Sequence, residues 1–124
     1  MLKVLIADDD PDIRMLMFLA LRRADLDVVS VTDGLVAQYR LLNERFDVAV
    51  LDVAMPQKSG LEVTRAVRAD RDAKAMGIVL VSAFTSDDDV ERARRAGADA
   101  YLGKPFALTE LVDTVLDVGR LALV

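Results

Sequence analysis

Residues 4–13 read VLIADDDPDI, in which a short hydrophobic run passes directly into three aspartates and a proline. A nearly continuous run of Val, Leu, Ile and Ala is typical of a strand that is buried on both faces of a parallel sheet. Asp10 followed by Pro11 favours a helix start, because Asp is a preferred N-cap and Pro is tolerated at the first helical position. The stretch therefore predicts a strand that ends in Asp8 and Asp9 and a helix that begins at Pro11.

The same alternation of strand and helix continues along the whole chain. The predicted strands are Leu2–Ala7, Asp27–Val31, Phe46–Leu51, Gly77–Ser82 and Asp99–Leu102. The predicted helices are Pro11–Ala24, Leu35–Leu42, Ser59–Ala69, Ser86–Ala96 and Ala107–Gly119. Successive β-α units predict an α/β fold of the flavodoxin-like, doubly wound type, with a five-stranded parallel sheet in the order 2-1-3-4-5. We expect residues 1–124 to form one domain.

The composition excludes several kinds of site. The chain has 124 residues, no His, no Cys and a formal net charge of −5. It therefore has no thiolate nucleophile, no imidazole base and no structural zinc ligands, and any bound metal must be a hard cation held by oxygen. The acidic balance argues against nucleic-acid binding and against an anionic membrane surface. The start does not resemble a signal peptide and no apolar run is long enough to span a membrane, which predicts a cytoplasmic protein.

Polar side chains collect where the predicted strands end. The first strand ends in Asp8 and Asp9, the third in Asp52 and the fourth in Ser82, and Lys104 follows the fifth. In doubly wound sheets the ligand site lies at the carboxyl ends of the strands, beside the switch in strand order. Three converging carboxylates repel one another unless a cation lies between them, and Mg²⁺ suits such oxygen ligands. Because a carboxylate can be a nucleophile, the set predicts Mg²⁺-assisted phosphoryl transfer onto an aspartate.

Taken in order, these motifs resemble the receiver domains of two-component response regulators over essentially the whole chain. The motifs are the acid pair at residues 8–9, LDVAMP at residues 51–56, Ser82-Ala83, and Lys104-Pro105-Phe106. The resemblance implies a signalling domain rather than a turnover enzyme. Such a domain catalyses only its own phosphorylation and slow dephosphorylation.

The resemblance also implies a role for each site residue. Asp52 would accept the phosphoryl group from a sensor histidine kinase or a histidine phosphotransfer protein. Asp9, Asp52 and the backbone carbonyl of Ala54 would bind Mg²⁺, with Mn²⁺ as the alternative, and Asp8 would act through a bound water. Lys104 would pair with the acyl phosphate, after a peptide bond to Pro105 that is cis in the family.

Further implied roles concern signal output. Ser82 would shift to bond a phosphate oxygen, and Tyr101 would then rotate inward. These shifts would change the face formed by the fourth helix, fifth strand and fifth helix, which includes Arg92, Arg95 and Phe106. That face would bind a downstream effector, an output domain or a second copy of the chain.

The first helix carries apolar residues on two sides. Its predicted core stripe consists of Ile13, Leu16, Met17, Ala20, Leu21 and Ala24. Roughly opposite lie Met15, Phe18 and Leu19, flanked by Arg14, Arg22 and Arg23. One interpretation is that the helix is simply more buried than usual. The other, which the resemblance favours, is that the kinase docks on this surface.

Two other functions were open from the sequence. Asp8 and Asp10 form the Asp-x-Asp of a haloacid-dehalogenase-type phosphatase, although this reading leaves Asp52 unexplained. The second is a receiver-like module that only binds proteins and is not phosphorylated.

The triplet at residues 87–89 follows Ser86 and is predicted to be the first turn of a helix rather than a site. We expect either a single-domain regulator or the receiver of a longer protein.

Overall fold

The computed structural model describes residues 1–122, and side chains for residues 1–120. The strands are β1 (Lys3–Ala7), β2 (Asp27–Val31), β3 (Val48–Asp52), β4 (Gly77–Ser82) and β5 (Ala100–Gly103). The helices are α1 (Pro11–Arg23), α2 (Gly34–Asn43), α3 (Gly60–Ala69), α4 (Asp87–Ala96) and α5 (Leu108–Ala122). All strand pairs are parallel and the sheet order is 2-1-3-4-5, as the sequence predicted.

The sheet is covered on both faces, and alternate residues of its central strands enter two separate cores. Leu5 and Leu51 pack on the side of α2, α3 and α4. Ile6 and Val50 pack on the opposite side, against residues of α1 and α5 such as Met17 and Leu111. Because β1, β3 and β4 are buried on both faces, their sequences are nearly continuous hydrophobic runs.

Several predicted boundaries differ from the structure by a few residues. β3 extends to Asp52, because this residue still pairs with Val81 of β4. β5 begins after Asp99, whose carboxylate accepts the main-chain N–H of Ile78 in the neighbouring strand β4. Helix α2 begins at Gly34, because the side chain of Asp33 accepts the N–H of Val36 and caps the helix.

Two of the aspartate-rich stretches begin helices, as the sequence predicted. Oδ1 of Asp10 accepts the N–H of Asp12 at 2.9 Å, and Asp10 is the N-cap of α1. Ser86 is the N-cap of α4, and its hydroxyl and the Asp89 carboxylate exchange hydrogen bonds with each other's backbone N–H groups. The acids of this first turn are also favoured by the helix dipole. The structure thus gives residues 87–89 a helix-capping explanation.

The predicted core stripe of α1 was wrong at Leu16, whose side chain is 52% exposed. Helix α1 contacts the sheet through Met17 and Leu21, which are fully buried. Phe18, expected on the free side, is half-buried against this core, with the guanidinium of Arg22 5.6 Å from its ring centroid. Ile13 and Ala24 of the predicted stripe also pack against this core, so the predicted face is confirmed there, and Phe18 contacts the core where Leu16 was expected to. None of the helices within residues 1–122 is both long and apolar enough to cross a membrane.

Candidate metal centre

The acid pocket, as we name the cluster of Asp8, Asp9 and Asp52, lies at the carboxyl edge of the sheet between β1 and β3. These strands are direct neighbours, and Asp8 follows the end of one while Asp52 ends the other. One carboxylate oxygen from each of the three residues lies within 4.8 Å of the others. Asp8 and Asp52 are buried, whereas Asp9 is exposed, so the cluster is open to solvent on one side only.

Lys104 supplies the positive charge at this pocket. Its Nζ donates to Oδ2 of Asp8 at 3.0 Å and to Oδ2 of Asp52 at 3.1 Å. Burial and the neighbouring charge of Asp8 raise the pKa of Asp52, although the hydrogen bond from Lys104 opposes this. Burial would lower the pKa of Lys104, but its hydrogen bonds to the two carboxylates outweigh this and raise the pKa. One ammonium therefore neutralises only part of the charge of the three carboxylates.

The turn after β3 keeps the main chain close to Asp52. The backbone N–H of Ala54 donates to Oδ1 of Asp52 at 3.2 Å, and Gly60 donates to the carbonyl of Val53 at 3.0 Å. A Cβ on Gly60 would lie 2.5 Å from the main-chain oxygen of Asp52, so this close approach requires glycine. The turn thus returns beside the pocket and places Ala54, an exposed residue, next to the carboxylate.

Ser82 and Tyr101 meet at the backbone of one residue. The Ser82 hydroxyl is almost fully buried and accepts the N–H of Phe84 at 3.0 Å. The Tyr101 hydroxyl donates to the carbonyl of the same Phe84. The backbone N–H of Lys104 donates to the carbonyl of Ser82 at 2.7 Å, which places the serine beside the lysine of the pocket. The peptide bond from Lys104 to Pro105 is cis, as the resemblance implied.

The donor set of the acid pocket fits a hard divalent cation. It offers carboxylate oxygens from Asp8, Asp9 and Asp52, and the chain contains no softer His or Cys ligand. The family model of the response regulator receiver domain matches residues 4–116. The chain belongs to this family.

Individual relatives agree with this assignment. The transcriptional regulatory protein GltR of Pseudomonas aeruginosa is 36% identical over 119 residues, which cover 96% of this chain and 49% of GltR. The chain thus spans about half the length of curated relatives such as GltR. The chemotaxis response regulator CheY4 of Vibrio cholerae is 34% identical, with a TM-score of 0.89 over 95% of this chain and 98% of that one.

A third relative bears on the metal. The receiver domain of the sensor histidine kinase PA1611 from Pseudomonas aeruginosa is 27% identical. It superposes with a TM-score of 0.88, covers 96% of this chain and 98% of that chain, and holds a magnesium ion in its active site cleft. The family relationship and the helix-capping role of Asp10 both favour a receiver over a phosphatase that uses Asp8 and Asp10.

The residues predicted to bind partners lie on α1, on α4 and after β5, and they differ in exposure. Met15 and Leu19 on α1 are exposed, whereas Phe18 is half-buried. On α4, Arg92 and Arg95 are exposed and form ion pairs within the helix, with Asp89 at 3.8 Å and Glu91 at 3.2 Å. Phe106, after β5, packs partly against the core.

Sequence reasoning missed two arginines that hold backbone near the strand ends. Arg14 donates to the main-chain carbonyl of Asp8 at 2.8 Å. Arg68 donates at the opposite end of the sheet to the carbonyls of Gly97 and Met76 and to the carboxylate of Asp99. Neither residue belongs to a sequence motif that predicts these contacts, because each acts through backbone groups whose positions depend on the fold.

Proposed function

We propose that this receiver domain accepts a phosphoryl group on Asp52 from the phosphohistidine of a sensor kinase or a phosphotransfer protein. The observation that carries the proposal is the shared contact of Lys104 with Asp52 and Asp8, next to the exposed Asp9. We further propose that residues 1–124 act as one receiver unit. The same arrangement gives Asp52 a buried, fixed position and leaves one open side for a phosphodonor.

The proposed transfer needs a nucleophile, a cation and a charge partner. An oxygen of the ionised Asp52 attacks phosphorus, the P–N bond to the donor imidazole breaks, and the imidazole nitrogen takes up a proton. Asp9, Asp52 and the carbonyl of Ala54 would hold Mg²⁺, with Asp8 acting through a water, and the bound ion would neutralise negative charge of the carboxylates and the phosphoryl group. Lys104 is placed to pair with a phosphoryl oxygen of the product.

Signal output is proposed to begin at Ser82. Its buried hydroxyl accepts the N–H of Phe84, so a move of Ser82 towards a phosphoryl oxygen would release that N–H. The Tyr101 hydroxyl donates to the carbonyl of the same Phe84, so a shift of this backbone would also affect Tyr101. The change would reach the face of α4, β5 and α5, with Arg92, Arg95 and Phe106. We propose that an effector, an output domain or a second copy of the chain binds there.

Kinase recognition is proposed on α1. Met15 and Leu19 present exposed apolar side chains on this helix, close in sequence to the acid pocket. Phe18 contributes only in part to this surface, because it is half-buried against the core.

A small phosphodonor separates the proposed function from its two alternatives. Acetyl phosphate with Mg²⁺ should add a single phosphoryl group per chain by intact-mass spectrometry, and Asp52→Asn should gain none. A phosphatase would instead release inorganic phosphate continuously and depend on Asp8. A binding module that is not phosphorylated would show neither addition nor release. Omission of Mg²⁺ with EDTA should abolish the addition.

A further inference from the structure

We propose that Arg14 is a positioning residue of the acid pocket, a role that rests on the proposed binding of Mg²⁺ there. Its Nη1 donates to the main-chain oxygen of Asp8 at 2.8 Å. That oxygen belongs to the peptide group that joins Asp8 to Asp9. Arg14 therefore fixes the orientation of the peptide group between the two aspartates, from whose Cα atoms both side chains extend. Its hydrogen bond is to this backbone oxygen and not to either carboxylate.

The end of the β1–β2 ladder explains why this carbonyl needs an external donor. The register of the two strands ends at the pair Ala7 and Val31. The N–H of Asp8 still donates to the carbonyl of Val31 at 3.3 Å. Strand β2 ends at Val31, and Asp33, two residues later, is already the N-cap of α2. The Asp8 carbonyl thus lies past the last strand pair, and the guanidinium of Arg14 takes the place of a strand N–H.

The contact completes the hydrogen bonding of Asp8. Oδ1 accepts the N–H of Asp10 at 2.9 Å, and Oδ2 accepts from Lys104 at 3.0 Å. Asp8 has no exposed surface, so water cannot readily replace a lost donor. Removing Arg14 should therefore let the peptide between Asp8 and Asp9 rotate and spread the carboxylate oxygens that now lie within 4.8 Å.

The charge of Arg14 and its hydrogen bond have opposite effects on cation binding. A positive charge beside the pocket opposes a divalent cation, so loss of the charge alone would tighten Mg²⁺ binding. Loss of the hydrogen bond would weaken binding, as for other groups that orient metal ligands. The sign of the change in Kd thus separates a positioning role from a purely electrostatic one.

The test measures the Mg²⁺ Kd by isothermal titration calorimetry together with the unfolding midpoint in EDTA. Arg14→Met keeps the apolar stem and removes both charge and donor, and we expect its Kd to rise about tenfold. Arg14→Lys keeps the charge but not the planar fork, and we expect a smaller rise. Arg23→Gln removes an exposed charge from the same helix and should leave the Kd unchanged or slightly lower.

A second control separates positioning from general loss of stability. Gly77→Ala introduces a Cβ that would lie 2.3 Å from Cγ1 of Val118, at the edge of the sheet opposite the acid pocket. It should lower the unfolding midpoint without changing the Kd. An unchanged or lower Kd in Arg14→Met, or a raised Kd in Gly77→Ala, would overturn the proposal. If Arg14→Met does not fold, a wild-type Kd in Arg14→Lys would overturn it. Absence of Mg²⁺ binding in the wild type would refute the proposed function instead.

Discussion

Lys104 and Asp52, which are separated by 52 positions in the sequence, lie 3.1 Å apart at the carboxyl edge of the sheet. The same ammonium also contacts Asp8 at 3.0 Å, and among the described side chains Lys104 alone forms ion pairs with the carboxylates of the acid pocket, which Asp9 completes. The pocket therefore combines burial with an excess of negative charge. Both properties disfavour folding of the metal-free protein and favour binding of a cation.

Replacement of the buried Asp52 should stabilise the metal-free protein. The pKa of Asp52 is raised by burial and by Asp8, so above its ordinary value of 3.8 the folded state is penalised for holding the ionised form. Asp52→Asn removes this penalty, and we expect a gain of about 1 kcal/mol in the free energy of unfolding at neutral pH. The gain should shrink as the pH falls through the raised pKa of Asp52 towards its ordinary value of 3.8, and should vanish below that value, where the wild-type carboxyl is protonated in both states. Urea unfolding in EDTA between acid and neutral pH measures it.

A matched control uses the exposed member of the pocket. Asp9→Asn makes the same chemical change at a solvated side chain, and its effect on stability in EDTA should be smaller than that of Asp52→Asn. Equal gains for the two variants would contradict burial as the cause. With Mg²⁺ added, the wild type should become more stable than either variant, because bound Mg²⁺ stabilises the wild type more than a variant that lacks one of the carboxylates.

Removal of Lys104 should leave two buried carboxylates without their shared cation. We expect Lys104→Met to lose about 2 kcal/mol of stability in EDTA, since breaking a buried ion pair is costly. The raised pKa of Lys104 means that its contribution is present at neutral pH and is lost only as the pH rises through that pKa, above 10.5.

The double variant Lys104→Met/Asp52→Asn checks this explanation. With one of the two carboxylates neutralised, the loss caused by Lys104→Met should be smaller than in the wild-type background. A double-mutant cycle in urea with EDTA gives the coupling energy. Additive effects would mean that the 3.1 Å contact contributes nothing to stability.

The sheet order and the strand ends could be predicted because they depend on local patterns. Hydrophobic runs followed by acids at Asp8 and Asp52 mark buried strands and their carboxyl ends, and the topology rules then bring them together. The exposure of Leu16 on α1 could not be predicted in the same way. Leu16 satisfies the helical periodicity, yet which apolar side faces the sheet depends on how α1 packs beside α5.

Backbone acceptors explain the residues that sequence reasoning missed. Arg14 and Arg68 look like ordinary surface charges in the sequence, but both donate to main-chain carbonyls that the folded chain leaves without a partner. Likewise, Gly60 reads only as part of a helix start, whereas its lack of a side chain allows the approach to the Asp52 carbonyl. Such roles depend on distances between segments, which a single sequence does not encode as a motif.

The proposed signal transfer from Ser82 to Tyr101 should be visible in tyrosine fluorescence. The chain has two tyrosines and no tryptophan, so Tyr39→Phe leaves Tyr101 as the sole reporter. In that background, acetyl phosphate with Mg²⁺ should change the Tyr101 emission, because its hydroxyl bonds the same Phe84 backbone as Ser82. Ser82→Ala should reduce the change while phosphorylation, followed by mass, still occurs. An undiminished change would show that Tyr101 responds without Ser82.

A methyl group on Gly60 should disturb Asp52, the proposed phosphoacceptor. Its Cβ would lie 2.5 Å from the Asp52 carbonyl oxygen, which is backbone and cannot move aside without shifting Asp52 itself. We expect Gly60→Ala to lower both stability and the rate of labelling by acetyl phosphate, the latter by about tenfold. Gly77→Ala meets a Val118 side chain instead, and should lower stability alone. Similar labelling rates for both variants at matched stability would contradict a local effect on Asp52.

The exposed side of α1 should govern transfer from a protein donor but not from a small one. Leu19 is 45% exposed and Met15 is 56% exposed, so a charge at either position should disturb the proposed docking surface with little cost to the fold. We expect Leu19→Glu to slow phosphoryl transfer by about tenfold or more, as for the central residues of an interface. The donor in this test is any kinase or phosphotransfer protein that labels the wild type. Labelling by acetyl phosphate should stay unchanged.

Phe18→Glu is a less specific variant and serves as the contrast. Its ring is half-buried against the core beneath Arg22, so a carboxylate there should lower stability as well as transfer. On α2, Tyr39 is exposed on the other side of the sheet, and Tyr39→Glu should affect neither rate. If Leu19→Glu slowed both donors equally, or if Tyr39→Glu slowed the protein donor as much, α1 would not be the docking surface. Slowing confined to the protein donor and to α1 is the result that the exposed Met15 and Leu19 lead us to expect.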